Sequence, residues 1–105
     1  MSENKNISVE ANPQNIANGD IVCHFKKETY DGDDKNMYMY KVLAVDARTT
    51  DDYSRVVVYQ ALYSSGDVNY GTYIRYYDEF LSEVDHYKYP DIKQKYRFEK
   101  QQANI

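Results

Sequence analysis

The 105-residue chain has little of several residue types that mark particular protein classes. A single cysteine cannot form an internal disulfide, and this fits a reducing cytoplasm. No apolar run approaches the ~18 residues that a membrane span needs, and no basic-then-apolar start is typical of a signal peptide. Two histidines and one cysteine are too few for a structural zinc site built without carboxylates. We therefore expect a cytoplasmic protein with no membrane segment, metal or cofactor.

Motifs of catalysis are also missing. The four glycines form neither a phosphate-binding loop nor a dinucleotide fingerprint, and no Gly-x-Ser-x-Gly elbow is present. Cys23 and His24 are adjacent, but consecutive side chains of a strand point to opposite faces and cannot form a dyad. Paired carboxylates lie in polar stretches, where solvation explains them. The sequence therefore predicts a protein that is not an enzyme.

Tyrosine is the residue type in excess, with 13 Tyr against 3 Phe and no Trp. In a small core a tyrosine ring fills volume while its hydroxyl stays in water. A core of this size does not accommodate all 13, so some aromatic surface must be exposed. Exposed aromatic side chains are typical of recognition surfaces.

Short β-forming runs alternate with polar loops along most of the chain. Strands are predicted at 21–25, 37–47, 55–63, 72–75 and 96–98, with one helical turn at 77–81. Residues 83–85 are a further candidate for the sheet. The polar, Asn-rich residues 1–18 indicate a flexible leader, with the alternation Ile7-Ser8-Val9 as a weaker hint of an edge strand. We predict an all-β barrel or sandwich of about five strands at 19–100, followed by a tail at 101–105.

Charge is distributed unevenly. Residues before His86 include 8 basic and 15 acidic side chains, a net of −7, whereas the remainder has 5 basic and 2 acidic, a net of +3. An acidic body repels a polyanion, so a nucleic-acid partner is not expected. The basic end makes self-association of two copies plausible.

One set of residues is typical of a site for a small anion. His24 and Lys26 are two apart, and so are Tyr73 and Arg75, which places each pair on one strand face if the strand extends that far. The predicted ligand-binding residues are His24, Lys26, Tyr59, Tyr63, Tyr73 and Arg75. Cations among tyrosines suit a planar anionic ligand such as a nucleotide. The alternative explanation is that Arg75 pairs with Asp78 or Glu79 and that His24 faces solvent.

A second hypothesis uses the acidic loops. In this hypothesis the chain is a protein-interaction or inhibitor module that presents tyrosine-rich, acidic loops to a basic partner surface. Its contact residues are Asp31, Asp33, Asp34, Asp51 and Asp52. This hypothesis explains the net charge better, and the ligand hypothesis explains the cations among tyrosines better.

Five segments in order resemble one protein family. They are GDIVCHFK at 19–26, YKVLAVDA at 40–47, VVYQALY at 57–63, YIRYYDEF at 73–80, and KYP at 88–90 with QKYRFE at 94–99. Together they are similar to the bacterial domain-of-unknown-function family 1653. The resemblance implies an SH3-like β-barrel, found in bacteria and phages, with no settled catalytic residues.

The chain departs from that family's pattern at several positions. Tyr76 stands where the family usually has proline, Tyr73 where it has tryptophan or alanine, and Asp46 where a small apolar residue is commoner. Residues 31–36 and 48–54 form longer and more acidic loops. The departures are typical of a divergent member with a changed partner, and a phage origin is one interpretation of them.

Overall fold

Strands dominate the computed structural model of the chain, which describes residues 12–101. The elements of this part are β1 (Ile21–His24), a 3-10 helix (Phe25–Thr29), β2 (Met39–Arg48), β3 (Arg55–Ala61), β4 (Ser64–Ser65), β5 (Val68–Asn69), β6 (Thr72–Tyr76), α1 (Tyr77–Phe80) and β7 (Phe98–Lys100). The predicted all-β class, the main strands and the single helical turn after β6 are confirmed.

The main sheet is antiparallel and has the strand order β6-β3-β2-β1-β7. The last strand returns beside the first, so that His24 lies opposite Phe98. The sheet is not closed, because β6 and β7 are its two edges in the described part of the chain. The predicted barrel is therefore corrected to an open sheet. α1 and residues 81–97 connect β6 to β7, and within this segment Glu83 and Tyr96 form an isolated antiparallel bridge.

The inner face of the sheet carries the core. β-Branched residues suit extended backbone, and alternation sends every second side chain inward. Val22, Val42 and Val57 of three neighbouring strands are completely buried. Phe80 of α1 and Phe98 of β7 close this core, with their rings stacked at 4.1 Å between centroids. The curvature that allows this packing is helped by irregular pairing between β2 and β3.

Several predicted boundaries differ from the structure by one or more residues. The first strand ends at His24, because Phe25 begins the 3-10 helix and buries its ring with Val84 and Ile92 in a second, smaller core. The predicted loop at 26–36 therefore begins as a helix. The predicted loop at 64–71 contains the hairpin of β4 and β5. The helical start of the 26–36 segment and the hairpin within 64–71 both arise from local turns that strand propensity does not encode.

Part of the predicted leader is packed on the domain. Ile16 is 3% exposed and belongs to the main core. Gln14 hydrogen-bonds the outer edge of β7: its Nε2 donates to the Phe98 carbonyl at 2.9 Å, and its Oε1 accepts from the Lys100 amide at 2.8 Å. The domain thus extends back to Asn12. Residues 1–11, with the possible strand at 7–9, and 102–105 lie outside the described residues.

Phe98 is the core residue whose loss should cost most. Its ring contacts rings from three other strands and from α1, so truncation leaves a cavity that no single neighbour can fill. We expect Phe98→Ala to lower the free energy of unfolding by about 3–5 kcal/mol in urea denaturation. Tyr87→Ala, at a fully exposed ring, is the control and should change it by less than about 0.5 kcal/mol. Equal stabilities of the two variants would contradict this packing.

Candidate functional site

Five tyrosines gather beside the core, and we call them the tyrosine cluster. They are Tyr38, Tyr40, Tyr59, Tyr63 and Tyr73. Their neighbouring ring centroids lie 5.2 to 5.9 Å apart, a normal distance for aromatic pairs. Strand pairing explains part of the arrangement, because Tyr59 of β3 lies directly opposite Tyr73 of β6. The cluster forms one continuous aromatic surface.

Arg75 lies at the β6 side of this cluster. Its Nε donates to the Tyr59 hydroxyl at 3.3 Å, and its NH1 donates to Glu79 Oε2 at 3.1 Å. The guanidinium carbon is 5.5 Å from the centroid of the Phe98 ring. The predicted ion pair with Glu79 therefore exists. It uses one of the five N–H groups of the guanidinium, and Tyr59 uses another, so donors remain for an anion.

His24 lies at the β1 side, with its ring stacked on Phe25 at 4.4 Å and at the edge of Phe98 at 4.9 Å. It is 7% exposed, which corrects the alternative in which it faces solvent. Burial, together with the positive charges of Arg75, Arg97 and Lys26, lowers its pKa to about 4. The imidazole is therefore neutral at pH 7, in a local field that is positive although the chain is acidic.

The tautomer of His24 follows from the single hydrogen bond that its imidazole ring makes among residues 12–101. Nδ1 accepts from the Lys26 amide at 3.0 Å, so the single proton of the neutral ring is on Nε2. Within residues 12–101 no group accepts a hydrogen bond from this N–H. A buried donor left unpaired is costly, of order 1–3 kcal/mol. The donor is therefore a natural contact for an acceptor from outside the chain.

The hydroxyls of Tyr40 and Tyr63 form a pair at 2.6 Å. Burial, reinforced by this hydrogen bond, raises the pKa of Tyr40 far above its ordinary value, and burial also raises the pKa of Tyr63. Both phenols stay protonated at neutral pH. These groups can offer hydrogen bonds and ring faces but cannot act as bases.

Tyr38 holds an unusual backbone conformation beside this pair. Its φ is 65°, in the left-handed region that costs a residue with a Cβ roughly 1–2 kcal/mol. The conformation directs its ring between His24, at 6.0 Å, and Tyr63, at 5.9 Å. Strained residues of this kind concentrate at binding and catalytic sites.

The structure brings together five of the six predicted ligand residues: His24, Tyr59, Tyr63, Tyr73 and Arg75. Lys26 is the exception. It is exposed on the 3-10 helix, because the strand ends at His24 and the two-residue alternation stops there. Its backbone amide, not its ammonium group, serves the site. Tyr38 and Tyr40 are not among the predicted residues, although their two-residue spacing is visible in the sequence. Neither is Phe98, which only long-range strand pairing brings near.

The predicted partner-binding aspartates do not share one surface. Asp31, Asp33 and Asp34 precede β2, whereas Asp51 and Asp52 follow it. The ten residues of β2 separate the two loops by roughly 30 Å at about 3.3 Å per residue. All five aspartates are exposed. Asp52 is additionally fixed by its loop, since hydrogen bonds from Ser54 and Thr49 lower its pKa to about 2.

Metal-holding clusters and membrane-spanning helices are both absent from the part of the chain that the structure describes. Residues 12–101 contain no group of three or more His, Cys, Asp or Glu side chains placed to hold a metal ion. No helix in this range has the length and apolar character needed to cross a membrane.

The fold and the cluster define a small antiparallel all-β domain with a polar, tyrosine-lined surface. The sequence pattern of a family described as "Protein of unknown function (DUF1653)" matches residues 20–100. The chain belongs to this family. No curated protein and no solved structure matches the chain.

The buried imidazole predicts a pH dependence of stability. The ordinary pKa of 6.5 applies in the unfolded chain and about 4 in the folded one, so between these values the unfolded chain binds a proton that the folded chain does not. The free energy of unfolding should therefore fall as the pH drops from about 7 to about 4. His24→Asn, whose amide oxygen can replace Nδ1 as acceptor, should lose this contribution. Urea denaturation across this pH range checks it, and parallel curves would contradict it.

Proposed function

We propose that this domain is a non-enzymatic, cytoplasmic binding module that holds a small anionic ligand with a planar ring, such as a nucleotide, at the tyrosine cluster. One observation carries the proposal: the buried Nε2–H of His24 has no acceptor within residues 12–101. Burial is the main cause of the low pKa of this imidazole, and the charges of Arg75, Arg97 and Lys26 add a positive field that an anion prefers.

Two groups supply the contacts for the anion. His24 and Arg75 approach the same Phe98 ring, with the imidazole centroid at 4.9 Å and the guanidinium carbon at 5.5 Å. A phosphate or carboxylate between them accepts from the His24 N–H and from the guanidinium. Hydrogen bonds between charged partners are shorter and stronger than neutral ones. Binding would then weaken or replace the ion pair of Arg75 with Glu79.

The planar part of the ligand would contact tyrosine. Tyr73 is 38% exposed and adjoins the buried Tyr59 ring, so one of its faces is available for stacking. Stacking of a base on an aromatic side chain contributes about 1–3 kcal/mol. The strained Tyr38 and the hydroxyl pair of Tyr40 and Tyr63 give the opposite side polar contacts.

The groups present favour binding over catalysis. Cys23, the single cysteine, is buried, and that burial raises its pKa and keeps it a thiol. Its side chain is on the other face of β1 from His24. With His24 neutral and the phenols protonated, the cluster offers recognition without a nucleophile or a base.

The protein-interaction hypothesis is the second candidate function, with its contacts limited to one of the two aspartate loops. The two aspartate loops cannot contact one compact basic surface, because they lie at opposite ends of β2. The loop with Asp51 and Asp52 adjoins the exposed β6 edge of the sheet, and this position supports it as the contact loop. A nucleic-acid partner is not expected, because the net charge of −4 repels a polyanion. A homodimer remains a prediction.

Arg75 provides the sharpest test, with AMP as the probe. We expect AMP to shift the amide resonances of Tyr73 and Arg75, and Arg75→Gln to weaken binding about tenfold to a hundredfold, as loss of a charged hydrogen bond does. The matched control is Arg48→Gln, which removes an exposed arginine near Asp46 and should leave affinity unchanged. Calorimetric titration measures both affinities.

Related probes separate the two parts of the ligand. Adenosine tests stacking without charge, and inorganic phosphate tests charge without stacking; each should bind more weakly than AMP. Neutralising Asp31, Asp33 and Asp34 together should not alter AMP binding. If AMP and the other anions shift no resonance of the cluster, and native mass spectrometry of the protein from its host lysate shows no bound small mass, the ligand proposal is wrong.

A further inference from the structure

The two edges of the main sheet are treated differently. The β7 edge is covered, because Gln14 hydrogen-bonds its backbone and Asn15 accepts from the Lys100 ammonium at 3.3 Å. The β6 edge has no such cover: β3 is the single strand neighbour of β6 among residues 12–101. An uncovered edge strand is a template for pairing with another chain.

The register identifies which groups of β6 face outward. The Ala61 amide donates to the Gly71 carbonyl at 2.8 Å, and Tyr73 and Arg75 follow at the positions that continue this ladder. The alternation of an antiparallel pair then directs the backbone groups of Thr72 and Ile74 away from the sheet.

The side chains of β6 do not protect this edge. Natural edges are usually guarded by lysine, proline or a bulge. Here Ile74 is 62% exposed and Tyr76 is 61% exposed, with no charged residue between them on the outer face. Arg75, the one charge of the strand, is turned inward to Tyr59 and Glu79.

Two cavities adjoin the exposed edge and share Tyr76 as a wall. The first has a volume of about 340 Å³ and is lined by Thr49, Val56, Ile74, Arg75, Tyr76 and Glu79. The second has a volume of about 270 Å³ and is lined by Ser54, Arg55, Tyr76, Tyr77 and Asp78. Val56 gives the first an apolar floor, since it is 4% exposed. In strand addition, such pockets receive alternate side chains of the added strand.

The charged residues of the first cavity, Arg75 and Glu79, form an ion pair, and further acidic residues lie around the two cavities. Asp78 lines the second cavity and has no ion-pair partner within residues 12–101. Asp51 and Asp52 lie in the loop between Thr49 and Ser54, which line one cavity each. The one cation of the second cavity, Arg55, is already neutralised by two contacts to Asp46 at 3.0 and 3.1 Å. The charge at this edge is thus complementary to lysine and arginine.

We propose that the β6 edge binds an extended, basic segment of a partner protein as an added antiparallel strand. The backbone of the segment pairs with Thr72 and Ile74. An apolar side chain enters the cavity above Val56, and a basic side chain meets Asp78. This surface adjoins the proposed ligand site, because Arg75 lines the first cavity, but the backbone groups of Thr72 and Ile74 take no part in ligand binding. The proposal goes beyond the ligand-binding function and does not depend on it.

A second copy of this chain fits the edge less well. Each copy has a net charge of −4 and an acidic rim at the same edge, so pairing of two copies brings like charges together. A basic peptide removes that repulsion. The oligomeric state is therefore one of the measured outcomes below.

The test uses the full chain and a short peptide in which lysine and valine alternate. We expect fluorescence anisotropy to show binding, and the amide resonances of Thr72 and Ile74 to shift. Ile74→Lys, which places a guarding charge on the edge, should weaken binding about tenfold or more. Tyr87→Lys is its matched control at a fully exposed ring and should bind as the wild type does.

Two comparisons distinguish strand addition from simple charge attraction. The same peptide with alternate backbone amides methylated keeps its charge but cannot pair, and it should not bind. Asp78→Asn should weaken binding about twofold to fivefold, whereas Asp33→Asn, in the distant loop, should not. Equal binding of the methylated peptide, no effect of Ile74→Lys, or a homodimer that Ile74→Lys dissociates would each overturn the proposal.

Discussion

The packing of the Phe98 ring is the constraint on which the rest of this domain depends. β7 is three residues long, yet it places this ring at the centre of the inner face, where Phe80 stacks on it with planes 8° apart. Edge-on contacts from His24, Tyr40 and Tyr59 surround it. Aromatic rings bury large areas and prefer these two geometries. The single ring of Phe98 therefore packs against residues from both sides of the open sheet. The sheet curves around this ring without closing through hydrogen bonds.

The same ring sets the geometry of the tyrosine cluster. Arg75 and His24 come from strands three places apart in the sheet order, and they meet only because each contacts Phe98. Their shared position explains why the imidazole is neutral: it is buried beside cations. The packing of the core therefore also sets the electrostatics of the cluster. A change in the core would alter the recognition surface as well as the stability.

The sequence was most informative where local chemistry decides structure. Dense β-branched runs such as 56–58 located the interior strand β3. Alternation along β6 predicted that Tyr73 and Arg75 share a face, and both contact Tyr59. The prediction was wrong where one residue ends an element, since alternation carried Lys26 onto a strand that stops at His24. Neither the left-handed φ of Tyr38 nor the approach of Phe98 has a signature in composition. Both depend on contacts made across long sequence separations, and a single sequence does not reveal these.

The return of β7 to the side of β1 also has a consequence for synthesis of the chain. While a ribosome extends the protein, β1, β2 and β3 emerge early and can form local hairpins, but the ring that unites their inner face is encoded at position 98. Until that residue leaves the exit tunnel, a curved sheet with unfilled aromatic sites faces the crowded cell. Long-range strand pairing is intrinsically slow, and partly folded sheets expose edges that aggregate. The nascent chain therefore exposes this unfilled inner face until β7 has emerged and paired with β1.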